Sequence, residues 1–189
     1  MHGKLLKETI HYDGSQLRSG WVGEVADLQG DAIVAFFGSC DVCPEHMLDT
    51  EDLEQGHAIR AKLMLHFIAE HPGISLDLAV ARQRLLACLA LDLLAGLWGV
   101  PHLERDGDDL YYGAAPVEYK LSISVAALSP TSGLIHFALN LDPEGAPVPA
   151  IGLPALGVTP AAFVQDLMAA YVGEIESCRH AAAKVRGAK

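Results

Sequence analysis

The sequence predicts an α+β fold in which a mixed, mainly antiparallel sheet is packed by a long buried central helix and a C-terminal helix. Three observations carry this expectation. Short segments rich in β-branched and aromatic residues, bounded by Gly, Asp or Pro, come both before and after one long apolar stretch at residues 76–98. A second helical segment at 160–180 closes the chain. Strands that come in runs, with helices set apart, make an α+β layer and not a doubly wound parallel sheet.

Residues 5–12, 31–37 and 63–69 read as an N-terminal β region. The stretch LDLAVARQRLLACLALDLLAGLW at 76–98 is apolar almost all round and is followed by Gly99 and Pro101, a stop signal. Such a helix is expected to be buried on most sides. Arg82, Gln83 and Arg84 interrupt it, and three consecutive long polar side chains span most of a helix circumference, so at least one points inward. A buried guanidinium needs an anion, either a protein carboxylate or one from a ligand. Strands follow at 110–112, 117–128 and 134–141. In the last helix Phe163, Leu167, Ala170, Tyr171 and Glu174 share helical spacing, with Pro160 suited to a first turn.

At 189 residues and 51% hydrophobic, the chain supports one core and is short for two. Residues 1–180 are therefore read as one domain and AAAKVRGAK at 181–189 as a flexible tail. No uninterrupted apolar run reaches the length of a membrane span, and MHGKLLKETIHYDG turns polar too early for a signal peptide, which predicts a cytoplasmic protein without a membrane partner. A formal charge of -11 with scattered Lys and Arg argues against nucleic acid as a bulk partner. Cys40, Cys43, Cys88 and Cys178 are expected to be reduced thiols. The chain has no GxGxxG, P-loop or GxSxG motif.

The most informative stretch is KLSISVA at 120–126, joined through the turn-forming SPTSG at 129–133 to LIHFALNL at 134–141. Alternation sets Lys120, Ser122 and Ser124 against Leu121, Ile123 and Val125, and sets His136 and Asn140 against Phe137 and Leu139. A hairpin centred on Thr131 would place Ser122 opposite Asn140 and gather Lys120, Ser122, Ser124, His136 and Asn140 on one surface. That surface is either the lining of a ligand site or the wet face of a half-buried sheet. A register slip of one residue would set the apolar row of one strand against the polar row of the other.

The words RQRLLACLALDLL, GDDLYYG, KLSISVA and IHFALNLD, in that order, resemble the core of biotin protein ligases. There a buried helix leads to a Trp-Pro-Asn-Asp strand, a Lys-Leu-Gly-Gly-Ile-Leu strand and a Gly-Ile-Gly-Ile-Asn-Val strand. Over nearly the whole chain, YDGSQL, EHMLDTED, HFIAEH, RQRLL, GDDLYY and KLSISVA also resemble a conserved family of unknown function. That family is similar, remotely, to the biotin protein ligase and lipoate-protein ligase superfamily. The resemblance implies a biotin/lipoyl ligase-like fold, with Lys120 and Asp109 as catalytic residues. It also implies Asp108 and Asn140 at a ligand, and ATP with magnesium as the activating cofactor; the strand alternation adds Ser122, Ser124 and His136 to the ligand-binding candidates, and the interrupted apolar helix adds Arg84. Where those ligases carry a Gly- and Arg-rich loop, this chain has FFGSCDVCPEHMLDTEDLEQG, and AAPVEY lengthens the step from Asp109 to Lys120.

Two function classes follow. One is an acyl- or adenylyl-transferring enzyme acting on a carboxylate-containing small molecule, in which Lys120 neutralises developing charge. The other is a non-catalytic binder of an anionic or heterocyclic ligand. An exposed hairpin edge makes a homodimer the expected assembly.

Cys40, Cys43 and His46 form C-x2-C-x2-H, three soft ligands without an evident fourth. The thiols read as small apolar fillers or, alternatively and on position alone, as an acyl-accepting nucleophile, and no zinc is expected in protein purified without added metal. Asp49, Glu51 and Asp52 are placed to cap a short helix ended by Gly56. A magnesium or amine role for them would require Asp108 or Asp109 to converge on the same place. His66 and His71 are expected at the surface or in capping roles.

Overall fold

The computed structural model describes residues 1–114 and 116–187. Strands β1 (His2–Thr9), β2 (Ala32–Asp41), β3 (Arg60–Pro72), β7 (Ser122–Leu128) and β8 (Ser132–Asp142) form one sheet in the order β1-β2-β3-β8-β7. The β1–β2 pair is parallel and the others antiparallel. A second sheet holds β4 (Leu103–Asp106), β5 (Asp109–Ala114) and β6 (Val117–Lys120). Helices α1 (Trp21–Ala26), α2 (Thr50–Gln55), α3 (Leu76–Asp92) and α4 (Pro160–Ala183) complete the fold. This is the mixed α+β architecture that the sequence predicts.

The central strands are covered on both faces, which is why they read as continuous apolar runs and not as alternating ones. Ile33, Ala35, Leu65, Phe67, Ile135 and Phe137 pack on one side against Leu86 and Ala90 of α3 and Phe163, Leu167 and Tyr171 of α4. On the other side Val34, Phe36, Ile68 and Ala138 meet Tyr12, Leu17 and Trp21. Helix α3 is capped by Ser75, whose Oγ accepts from the Leu78 N–H at 3.2 Å, and leads into a π turn at Leu93–Leu97. Its fully buried residues form a single stripe, Ala79, Gln83, Leu86, Ala87 and Ala90, while Leu76, Leu78 and Leu97 stay exposed. Burial is therefore narrower than the all-round apolar sequence suggests, because one sheet covers one face. Helix α4 continues to Ala183, beyond the expected end at His180, and the last two residues of the expected tail lie outside the described residues.

His66 and His71 are both fully buried, contrary to the expectation of surface or capping roles. They sit on β3, the middle strand of the sheet, in its buried run from Met64 to His71, which is covered on both faces. His71 bridges two elements: its Nε2 meets the Tyr171 hydroxyl at 2.8 Å and its Nδ1 meets Asp31 at 2.5 Å. Asp31 also pairs with Arg82 at 3.1 Å and with Arg179. Of the three polar residues in α3, Arg82 is thus the guanidinium turned inward, with a protein carboxylate as its anion. Asp31→Ala strands a largely buried arginine, and we expect it to lower stability by about 3 kcal/mol in urea unfolding. A loss well under 1 kcal/mol would show that the cluster is solvated.

Candidate functional site

The hairpin β7–β8 fixes the site, and its register differs by one residue from the expected one. Ser129 and Ser132 close a two-residue turn over Pro130 and Thr131, with the Ser129 N–H donating to the Ser132 carbonyl at 2.8 Å. Ser122 then faces Leu139, Ser124 faces Phe137, and Val125 faces His136. Ser122 and Ser124 consequently lie on the helix-covered face, and not on the face of His136 and Asn140.

Both serines are used structurally there. Ser122 Oγ accepts from the Leu110 N–H at 2.8 Å, whereas Ser124 Oγ receives the Gln83 amide at 2.9 Å and donates to the His136 carbonyl at 3.0 Å. Asp108, half-buried, takes the other arm of this bridge, accepting from Gln83 Nε2 at 2.7 Å. Burial first, and the neighbouring Asp109 second, raise the Asp108 carboxyl above its ordinary range. Arg84 is exposed beside the Gly107 turn and does not line the cavity. The inward position in this part of α3 belongs to Gln83.

Lys120 reaches the opposite face because the strand is irregular at Leu121, between β6 and β7. Leu121 packs into the helix-side core, while Ile123 packs on the other side. Lys120 is clamped by its backbone. Its N–H donates to the Pro149 carbonyl at 2.9 Å, and its carbonyl accepts from the Ile151 N–H at 3.1 Å and from Asn140 Nδ2 at 3.1 Å. Its ammonium donates to Asp109 Oδ2 at 2.6 Å, and Tyr111 donates to the same oxygen at 3.4 Å. Burial pulls the Lys120 ammonium down, but the charge and hydrogen bond of Asp109 outweigh it and hold it above the usual lysine range. Asp109 is raised by burial, with Lys120 opposing.

Lys120, Asn140, Met64 and Ile123 line a cavity of about 350 Å³. Its remaining walls are residues 57–60, Asp52 of α2 and the loop at 146–150. Asp49 caps α2 by accepting from the N–H groups of Glu51 and Asp52, as expected, and this turns Asp52 toward the cavity. Asp52 is paired with His57 at 3.1 Å and acts on both Lys120 and Asp109 through its charge. His136 shares the Asn140 face but lies deeper, wholly enclosed against His66 and Tyr12. The apolar walls from Ile59, Met64, Pro147 and Val148 escape any pattern in the sequence, because they meet only through tertiary packing.

The chain matches, over residues 1–186, the family described as a domain of unknown function (DUF366). It belongs to that family. A solved structure of a protein of unknown function from Pyrococcus horikoshi is 38% identical and superposes with a TM-score of 0.91, covering 100% of this chain and 99% of that one. More distantly, the bipartite lipoate protein ligase of Thermoplasma acidophilum is similar with a TM-score of 0.54 at 16% identity, over 93% of this chain and 84% of that one. Biotin protein ligase from Aquifex aeolicus, solved with biotin, gives 0.57 at 12% identity, over 93% and 70%. The fold is therefore biotin/lipoate ligase-like. No helix among the described residues is long and apolar enough to cross a membrane.

Proposed function

We propose that the cavity holds the acyl body of a small carboxylic acid or its activated derivative, and that Lys120 meets the acyl or carboxylate oxygen in an acyl transfer. The observation that carries this is the Lys120 ammonium, held by Asp109 at 2.6 Å beside a half-open, largely apolar space. An ammonium has three donors, and Asp109 takes one, which leaves two for a ligand oxygen. Ile59, Met64, Ile123 and Val148 supply the surface that an alkyl or ring body buries. Asp109 is a positioning residue in this reading, since it touches Lys120 and keeps it charged.

The residues present do not fit an ATP triphosphate. Arg60 is tied to Asp41 at 3.0 Å, Lys120 has only two donors left beside Asp109, and Asp52 adds a negative charge to the same cavity. A polyphosphate needs backbone amides and uncommitted cations, so the activated acyl group is expected to arrive already formed. One observation favours the second reading, a non-catalytic binder of an anionic or heterocyclic ligand: among the described residues that line the cavity, none is a Cys or Ser nucleophile. In either reading we place the protein in the cytoplasm, acting on a small molecule, with its exposed hairpin edge available for a homodimer, without nucleic acid as a bulk partner and without a membrane partner.

The test is a thermal-shift and calorimetric screen of octanoate, lipoate, biotin and ATP on wild type and Lys120→Ala. A carboxylate is expected to stabilise the wild type, and the variant to bind it 10- to 100-fold more weakly, about 1.4–2.8 kcal/mol, while remaining folded. Equal affinity in a folded Lys120→Ala protein would sink the assignment. Stabilisation by ATP alone would move the chemistry to adenylyl transfer.

A further inference from the structure

Outside that cavity, Asp13, Cys43 and His46 place a carboxylate oxygen, a thiol sulfur and an imidazole nitrogen all within 4.8 Å of one another. We infer that these three residues form a binding site for a thiophilic divalent cation of the zinc class, with a fourth position open to solvent or to a small ligand. The inference does not depend on the acyl-transfer reading.

The local structure explains why the three side chains converge. Cys43 precedes a single 3-10 turn, Pro44–His46, with Pro44 in its first position. Residues three apart eclipse one another in such a turn, so Cys43 and His46 share an edge, with Sγ 3.4 Å from Nδ1. Asp13 comes from the loop after β1, brought alongside by the parallel bridge between Tyr12 and Cys40. The next residue, Gly14, has φ of +93°, and a Cβ there would stand 2.6 Å from the His46 Cβ. That approach seats the loop directly on the Cβ and backbone carbonyl of His46.

The ligand set has the chemistry of a zinc site with three protein ligands. A soft thiolate, a borderline imidazole and a hard carboxylate are all donors that borderline Zn²⁺ accepts, and three of them leave a tetrahedral ion one coordination position. A supporting shell is in place, because Asp13 Oδ1 accepts from the Ser15 N–H at 2.9 Å and the Ser15 hydroxyl at 2.5 Å. His46 Nδ1 lies 3.1 Å from the Asp13 carbonyl, which can only accept, so without metal that nitrogen carries a proton that a cation bound there would displace. Asp13 and Cys43 line a cleft that shares Asp52, His57, Ala58 and Arg60 with the acyl cavity.

Cys40 is not a member, contrary to what the C-x2-C-x2-H spacing suggests. It points into the core toward the Ile59 carbonyl, and burial pushes its thiol up to about 12, far from the thiolate that a metal needs. Asp13 takes the place that spacing gave to Cys40. A three-ligand site gives up its ion more easily than a closed four-ligand one, so protein purified without added metal is still expected to be empty.

The experiment is titration of the full chain with Co²⁺, followed by displacement with Zn²⁺. One equivalent of Co²⁺ should produce a near-ultraviolet sulfur-to-cobalt charge-transfer band that Zn²⁺ removes. Cys43→Ser should abolish the band, Asp13→Asn should weaken Co²⁺ binding at least 10-fold, and Cys40→Ala should leave the band unchanged. In the wild type, Zn²⁺ should also slow alkylation of Cys43 at least 10-fold, read by peptide mass, without protecting Cys178. Absence of the band at millimolar Co²⁺, its loss in Cys40→Ala, or Cys43 alkylation indifferent to Zn²⁺ would each overturn the site.

Discussion

Gly38→Ala is expected to cost about 4 kcal/mol or more of folding stability, a large effect for the addition of a single methyl group. A Cβ at Gly38 would fall 1.7 Å from the Ile10 carbonyl oxygen and 2.7 Å from its carbon. Both are backbone atoms, so no rotamer change relieves the clash. Ile10 cannot retreat freely, because its N–H donates to the Phe37 carbonyl at 3.0 Å and the next pairing, Tyr12 N–H to the Ser39 carbonyl at 2.9 Å, holds the chain against β2. The same glycine carries the site from below, since it pairs with Met64, a cavity wall, and its carbonyl faces His66 Nε2 at 3.2 Å. Urea unfolding of Gly38→Ala beside Gly96→Ala gives a clean comparison, because a Cβ at Gly96 meets nothing within 4 Å. Gly96→Ala should stay within about 1 kcal/mol of wild type. A Gly38→Ala protein equally stable would mean that the β1 extension is not packed on β2.

The sequence made the class of fold legible because it is written in features that survive without tertiary information. The long apolar helix, the late strands and the final helix are such features, and so is the resemblance carried by KLSISVA. Lys120, Asp109 and Asn140 do come together, since a strand-initial lysine and its hydrogen-bonding neighbours are fixed by local order along β5, β6 and β8. What failed was register. The alternation in the hairpin favours the alignment that sets like rows opposite each other, but the structure takes the one a residue away, where the Ser129 and Ser132 closure and Gln83 reaching from α3 hold it. Neither is visible in a pattern of apolar positions. The irregularity at Leu121 compounds this, so Lys120 reaches the cavity on a face that the serines do not share. Residues 117–128 read as one strand and proved to be two, belonging to different sheets. Asp13 was missed for a related reason: its partnership with Cys43 and His46 depends on a parallel strand extension, and such contacts are long-range in sequence.

Acidification from about pH 7 to about pH 5 is expected to remove about 4 kcal/mol of stability through two histidines alone. His66 and His136 lie side by side in the core, His66 Nδ1 to His136 Nε2 at 3.1 Å, enclosed by Tyr12 and Phe36. His66 Nε2 faces the Gly38 carbonyl at 3.2 Å, which can only accept, so that nitrogen carries the proton. Nδ1 of His66 must then be the acceptor and His136 Nε2 the donor, an arrangement that requires a neutral His66, while burial opposes a charge on either ring. Burial lowers His66 to about 3, and burial together with the adjacent His66 lowers His136 well below its ordinary value. The sign follows from proton counting. Below the ordinary histidine value of about 6.5 the unfolded chain binds protons that the native state refuses, so stability is complete above that pH and lost as pH falls toward 3. Over the interval to pH 5 each neutral histidine forfeits about 2 kcal/mol. The check combines denaturant unfolding at the two pH values with an NMR titration of the nine imidazoles. At least two ring signals should stay unshifted down to about pH 5 while the native fold persists. If all nine moved with midpoints near 6.5, the buried neutral pair would not exist, and the loss of stability would have to come from the carboxylates instead.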